Sequence, residues 1–83
     1  MSDIARTPKH LGAVIRRARR AAGLTQAALG ERAGLWQETV SRIENGNGAT
    51  KLETLFDLLA ALDLDLTIGP RSKGSAADIE DIF

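Results

Sequence analysis

Cysteine is absent from the 83 residues, which removes disulfides, thiolate metal sites and cysteine nucleophiles together. The lone His10 leaves too few nitrogen ligands for a zinc site, so neither a metal nor any other cofactor is expected. No apolar run reaches membrane-spanning length, so no membrane partner is expected. The N-terminus, with Asp3, Arg6 and Lys9, lacks the apolar segment of a signal peptide, and a cytoplasmic protein is the expectation. No Ser/His/Asp set, paired-acid cleft or phosphate-cradling glycine loop can be assembled, and Gly46 and Gly48 merely flank Asn47 in a turn. An enzyme is therefore not expected.

Net charge is lacking too, with 11 Lys and Arg against 11 Asp and Glu, but the distribution is uneven. Up to Lys51 the bases are Arg6, Lys9, Arg16, Arg17, Arg19, Arg20, Arg32, Arg42 and Lys51, against the acids Asp3, Glu31, Glu38 and Glu44. From Leu52 to Ile68 there are Glu53, Asp57, Asp63 and Asp65 and no base. Such asymmetry separates a phosphate-facing half from a half that faces something else. A chain this short has one domain with a barely sufficient core, and a dimer is expected. The domain is placed at residues 1–68, with a polar linker and tail at 69–83.

Helical periodicity accounts for most of that domain. Thr7-Pro8 is a capped start for a first helix with Leu11, Val14, Ile15 and Ala18 inward, and Gly23 stops it after Ala22. Its other face carries Arg16, Arg17, Arg19 and Arg20, either as a solvated surface or as phosphate contacts. Thr25 caps a short second helix from Gln26 to Arg32, and Gly34 supplies the turn after it. A third helix from Gln37 to Glu44 turns Val40 and Ile43 inward and ends at Asn45-Gly46-Asn47-Gly48. Thr50 and Glu53 have capping-box spacing for a fourth helix, whose stripe is Leu52, Leu55, Phe56, Leu59 and Leu62. Leu58 lies at the edge of that stripe, a candidate to stay uncovered within one subunit and join a dimer contact.

Asp63 to Ile68 then alternates polar and apolar strictly, the period of a half-buried strand. No second strand pattern exists, so its mate is expected to be the same segment of another copy, joined through Leu64, Leu66 and Ile68. Gly69-Pro70 ends it. Ile79, Ile82 and Phe83, set among acids, read either as a short docking motif or as a frayed terminus.

The constellation with function is carried by the second and third helices. Two helices joined by a tight turn touch at Gly30, and Gly34 can take the positive φ that the turn demands. Leu29, Leu35, Val40 and Ile43 anchor both helices to the scaffold. The runs Leu24-Thr25-Gln26-Ala27-Ala28-Leu29, Gly34-Leu35, Gln37 and Thr39-Val40-Ser41-Arg42-Ile43-Glu44-Asn45-Gly46 resemble the helix-turn-helix of the lambda and 434 repressor and Cro class, the XRE class. The resemblance spans Leu11 to about Leu62. Followed directly by an alternating segment, the domain is similar to HipB-like antitoxins, in which two such strands pair across the dimer. The implied fold is all-α: a four-helix lambda-repressor-like domain with one short C-terminal β-strand pairing across a dimer.

The resemblance implies that the third helix enters the major groove and meets base edges with Trp36, Gln37, Glu38, Ser41 and Arg42. Gln37 suits adenine and Arg42 guanine; Glu38 either accepts from cytosine or only discourages wrong sequences. Trp36 stands where family members commonly carry a small or polar residue; it is either buried, where it would be redundant with Leu35, or exposed against a thymine methyl or sugar, and the second is the expectation. Gln26 and the N–H groups beside it are expected to hold a phosphate, as the matching glutamine does in the repressors. Arg16, Thr39, Asn45 and Asn47 are further phosphate candidates, the asparagines serving equally well in capping and turn formation. Glu44 is expected to bond within the fold, through Arg19 or Arg32.

By the same resemblance the chain is expected to be a bacterial, nucleoid-associated antitoxin and autorepressor that binds a palindromic operator as a homodimer. The expected protein partner is a HipA-like serine/threonine kinase toxin, facing the acidic, leucine-rich half. The alternatives are a stand-alone regulator of the same fold, or an interaction adaptor that has lost DNA binding.

Overall fold

The computed structural model describes residues 3–71, and the readings made for Ile79, Ile82 and Phe83 lie outside the described residues. Four helices follow one another: α1 (Pro8–Ala21), α2 (Gln26–Ala33), α3 (Gln37–Glu44) and α4 (Leu52–Ala61). Threonines start the first two as expected. The Thr7 hydroxyl accepts from the His10 N–H at 3.0 Å, and that of Thr25 accepts from the Ala28 N–H at 3.0 Å. Each such cap is worth about 1 kcal/mol.

All four helices end alike. A left-handed residue, Gly23, Gly34, Gly46 or Asp63, reverses the chain, and the next N–H returns to the carbonyl five residues back. After α2 the Leu35 N–H reaches the Gly30 carbonyl at 2.7 Å, and after α4 the Leu64 N–H reaches Leu59 at 2.9 Å. Asp63, with φ 57°, thus closes a helix where the alternation places the first residue of a strand.

Ile15, Leu29, Val40, Ile43, Leu58 and Leu59 form the buried core, drawn from every helix. Leu11, Leu24, Leu35, Leu55, Leu62 and Leu64 pack around it. The α4 stripe is rotated from the expected one. Leu58 is fully buried and is not an uncovered dimer residue, whereas Leu52 and Phe56 face solvent. The physical reason is that α4 packs on α2 and sends Leu58 and Leu59 into the core, which turns the Leu52–Phe56 edge outward. The Thr50–Glu53 capping box is likewise absent. Lys51 is the N-cap of α4 and makes no side-chain cap bond, while the Thr50 hydroxyl donates to the Asn47 carbonyl at 3.0 Å.

Residues 64–71 run without regular secondary structure, and no strand occurs among the described residues. A strand pairing through Leu64, Leu66 and Ile68 requires a second chain. Ile68 is 93% exposed, and Leu66 lies open beside it.

Glycine also sets how closely the helices approach. A Cβ on Gly30 would lie 2.6 Å from the Leu35 carbonyl oxygen, and one on the buried Gly12 would lie 2.5 Å from the carbonyl oxygens of both Ile43 and Glu44. Backbone atoms cannot yield as a side chain end can, so α3 would have to move away from α1 and α2. Gly12→Ala and Gly30→Ala are each expected to destabilise the domain by about 1–3 kcal/mol. Urea unfolding checks this, with Gly69→Ala as the control because nothing lies within 4 Å of a Cβ built there.

Candidate nucleic-acid interface

The third helix presents one side to its scaffold and the other to solvent. Val40, Ile43 and Glu44 are buried, and Gln37, Glu38 and Arg42 are exposed with Ser41 partly so. Positions i, i+1, i+4 and i+5 share one side of a helix, so these four stand together. Trp36 precedes them as the N-cap, its backbone extended at φ −71° and ψ 148° and its carbonyl accepting from the N–H groups of Thr39 and Val40. Its side chain makes no capping bond and is 82% exposed, on the same end of the helix as Gln37 and Glu38. An indole left this open near polar neighbours is not a core residue.

Behind that surface lies a buried ionic cluster. The Glu44 side chain has no solvent exposure, and its carboxylate accepts from Arg19 Nε at 2.6 Å and Arg19 Nη2 at 3.0 Å. It also accepts from Gln26 Nε2 at 3.2 Å and Arg16 Nε at 3.3 Å. Arg19 further donates from Nη1 to the Leu24 carbonyl at 2.9 Å, and Arg16 from Nη2 to Asn45 Oδ1 at 3.0 Å. Burial alone would push the Glu44 carboxyl up; the hydrogen bonds from Arg19, Gln26 and Arg16 together outweigh it and hold the group below its ordinary value. The same contact with Glu44 raises Arg19 against the opposing effect of its own burial.

Of the two partners foreseen for Glu44, Arg19 is the one used. Arg19 is therefore neither a solvated nor a phosphate-facing side chain. Its spacing from Gly12 and Ile15, the other buried residues of α1, was the available signal. Among the phosphate candidates, Gln26 and Arg16 sit at the edge of the cluster, and Asn45 holds Arg16 and lies 3.5 Å from the Ser41 hydroxyl through Nδ2. Asn47 shapes the α3–α4 turn, its Oδ1 accepting from the Ala49 N–H at 2.9 Å. Thr39, Arg42 and Asn47 line a shallow depression of about 190 Å³ together with Lys51, a basic residue the sequence reading did not assign to the site. Among the described residues no group of three or more His, Asp or Glu is placed to hold a metal ion. None of their helices is long and apolar enough to cross a membrane.

A helix-turn-helix family model matches residues 15–68. Antitoxin HipB of Escherichia coli is 32% identical over 78 residues, covering 92% of this chain and 83% of that protein. An uncharacterized helix-turn-helix transcriptional regulator of Sinorhizobium fredii is 36% identical over 63 residues, 76% of this chain; the matched part is only 32% of that longer protein. Among solved structures, a chain of a HipA-HipB-O2-O3 complex superimposes with a TM-score of 0.77 at 30% identity, over 83% of this chain and 97% of that one.

Glu44 links folding to pH. Because the folded carboxyl is held below its ordinary value, near 4.3 in an unfolded chain, the unfolded state takes up the proton first on acidification. The stabilisation is complete above that value and is lost as pH falls through the folded one. Glu44→Gln leaves Arg19 buried without its counter-charge and is expected to cost about 3–5 kcal/mol near neutral pH. The gap in Tm between parent and variant should narrow from about pH 6 to pH 3. A gap of constant size in thermal melts would show that this proton is not coupled to folding.

Proposed function

The chain belongs to the helix-turn-helix family and within it to the HipB-like antitoxins, and from that membership we propose a dimeric autorepressor whose α3 reads a palindromic operator. One observation carries the reading: the exposed side of α3 gathers Trp36, Gln37, Glu38, Ser41 and Arg42 on a helix whose other side is locked into the core. Gln37 reads adenine and Arg42 guanine in the major groove, with Trp36 against a thymine methyl and Glu38 accepting from cytosine. Gln26, Arg16, Thr39, Asn45 and Asn47 hold the backbone, joined by Lys51.

Residues 1–68 serve DNA binding and dimerisation, and 69–83 form a tail. The dimer joins Leu64, Leu66 and Ile68 of two copies as paired strands. Leu52 and Phe56 take the place once given to Leu58, because they are exposed apolar side chains on the same molecule and Leu58 is not. HipB occurs with HipA in the HipA-HipB-O2-O3 complex, and the same pairing is proposed here with a HipA-like serine/threonine kinase. The acidic segment from Leu52 to Ile68 faces it. The chain is not itself the enzyme of the pair, and it works in the cytoplasm, on the nucleoid.

The test is binding to its own upstream DNA across a salt series, with two half-sites expected about 34 Å apart or a multiple of that. Gln37→Ala and Arg42→Ala should each reduce discrimination at one base pair by about 1–3 kcal/mol, and Trp36 fluorescence should change on binding. Equal affinity for operator and random duplex would refute the reading.

A further inference from the structure

The Glu44 cluster joins three side chains to one buried carboxylate. Arg19 by itself neutralises the carboxylate with two short bonds, at 2.6 and 3.0 Å. The added bonds come from Gln26 and Arg16, side chains at the protein surface; that of Arg16 is 37% exposed. They help to hold the buried charge within the fold. They also fix where Gln26 and Arg16 point.

Each of the two also keeps donors in reserve. Gln26 uses one N–H of its amide on Glu44 and retains the other. Arg16 spends its Nε–H on Glu44 and one N–H of Nη2 on Asn45, leaving three of the five guanidinium N–H groups. Glu44 is the last residue of α3, Gln26 the first of α2, and Arg16 stands midway along α1. One carboxylate therefore ties the reading helix to the two side chains proposed to grip the phosphates.

We infer that Glu44 is a positioning residue for DNA binding: its buried carboxylate holds Gln26 and Arg16 in register with the base-reading side of α3, so that phosphate clamp and reading helix dock as one rigid unit. The inference rests on the proposed DNA-binding reading. Donor side chains that are already oriented lose less rotamer freedom when they take a phosphate, which is where the gain in affinity arises.

The test separates positioning from folding. Arg19→Met/Glu44→Met removes both buried charges without orphaning either, an exchange that often leaves stability unchanged or higher. Glu44→Asp keeps the charge but shortens the arm, and serves if the double variant does not fold. Each full-length variant is confirmed folded by a cooperative melt and titrated with its upstream operator and with random duplex over a salt series. The double variant is expected to lose about tenfold in operator affinity, with Glu44→Asp intermediate. The slope of log K against log salt should become shallower by about one, because Arg16 no longer delivers its charge to a phosphate. Gln26→Ala should weaken the parent but add little in the double-variant background. Folded variants with the parent's affinity and slope, or a Gln26→Ala penalty equal in both backgrounds, would overturn the inference. Should the parent itself fail to prefer the operator, the DNA-binding reading falls instead.

Discussion

One carboxylate holds the arrangement together. Glu44 ends α3 and sits without solvent exposure where α1, α2 and α3 meet, with Arg19 across from it. Apolar contacts between short helices tolerate sliding, since Leu against Val is favourable in many registers. A buried charge tolerates very little, because any displacement that breaks its hydrogen bonds exposes the full desolvation penalty. The angle at which α3 leaves the scaffold is therefore set by polar geometry, while the apolar core supplies the driving force.

Glycine completes that constraint from the other side. Gly12 and Gly30 let the backbones of α1 and α2 come against the end and the start of α3, at distances where any side chain would collide with a carbonyl. An eight-residue helix is too short to be stable by itself, so its direction has to be imposed by such contacts. The core that results is small, six buried apolar side chains among the described residues, while Leu52, Phe56, Leu66 and Ile68 remain in solvent. A domain with so little interior and so much exposed apolar surface gains by closing on a second copy.

The helices were legible in the sequence because their ends are chemical. Threonine caps and positive-φ glycines mark α1, α2 and the end of α3 within a residue or two. Where the signal was ambiguous the reading slipped. Asp63 looked like the start of an alternating strand because leucines follow at period two, yet Asp is also a residue that accepts the left-handed conformation, and that is how the chain uses it. Leu52, Phe56 and Leu58 could not be ranked by periodicity, since α4 is apolar over more of its circumference than one contact covers; only the packing on α2 decides. Arg19 and Arg16 share a helix with Arg17 and Arg20, and composition alone does not tell a buried arginine from a solvated one. The partner that distinguishes them, Glu44, lies 25 residues from Arg19 in sequence.

The same pairings explain how a chain of zero net charge can suit a sequence-specific role. Arg16 and Arg19 share Glu44, and Arg17 pairs with Asp3 at 2.9 Å, so much of the positive charge on α1 is met from within the chain. Attraction to arbitrary duplex rises with every unpaired cation, and a strongly basic surface would hold the protein on the whole genome. Pairing within the chain lowers that general attraction without removing it, and hydrogen bonds to particular bases then count for more. On the proposed reading, discrimination depends on Gln37, Glu38 and Arg42 being held in position, a rigidity that the buried cluster beneath α3 would supply.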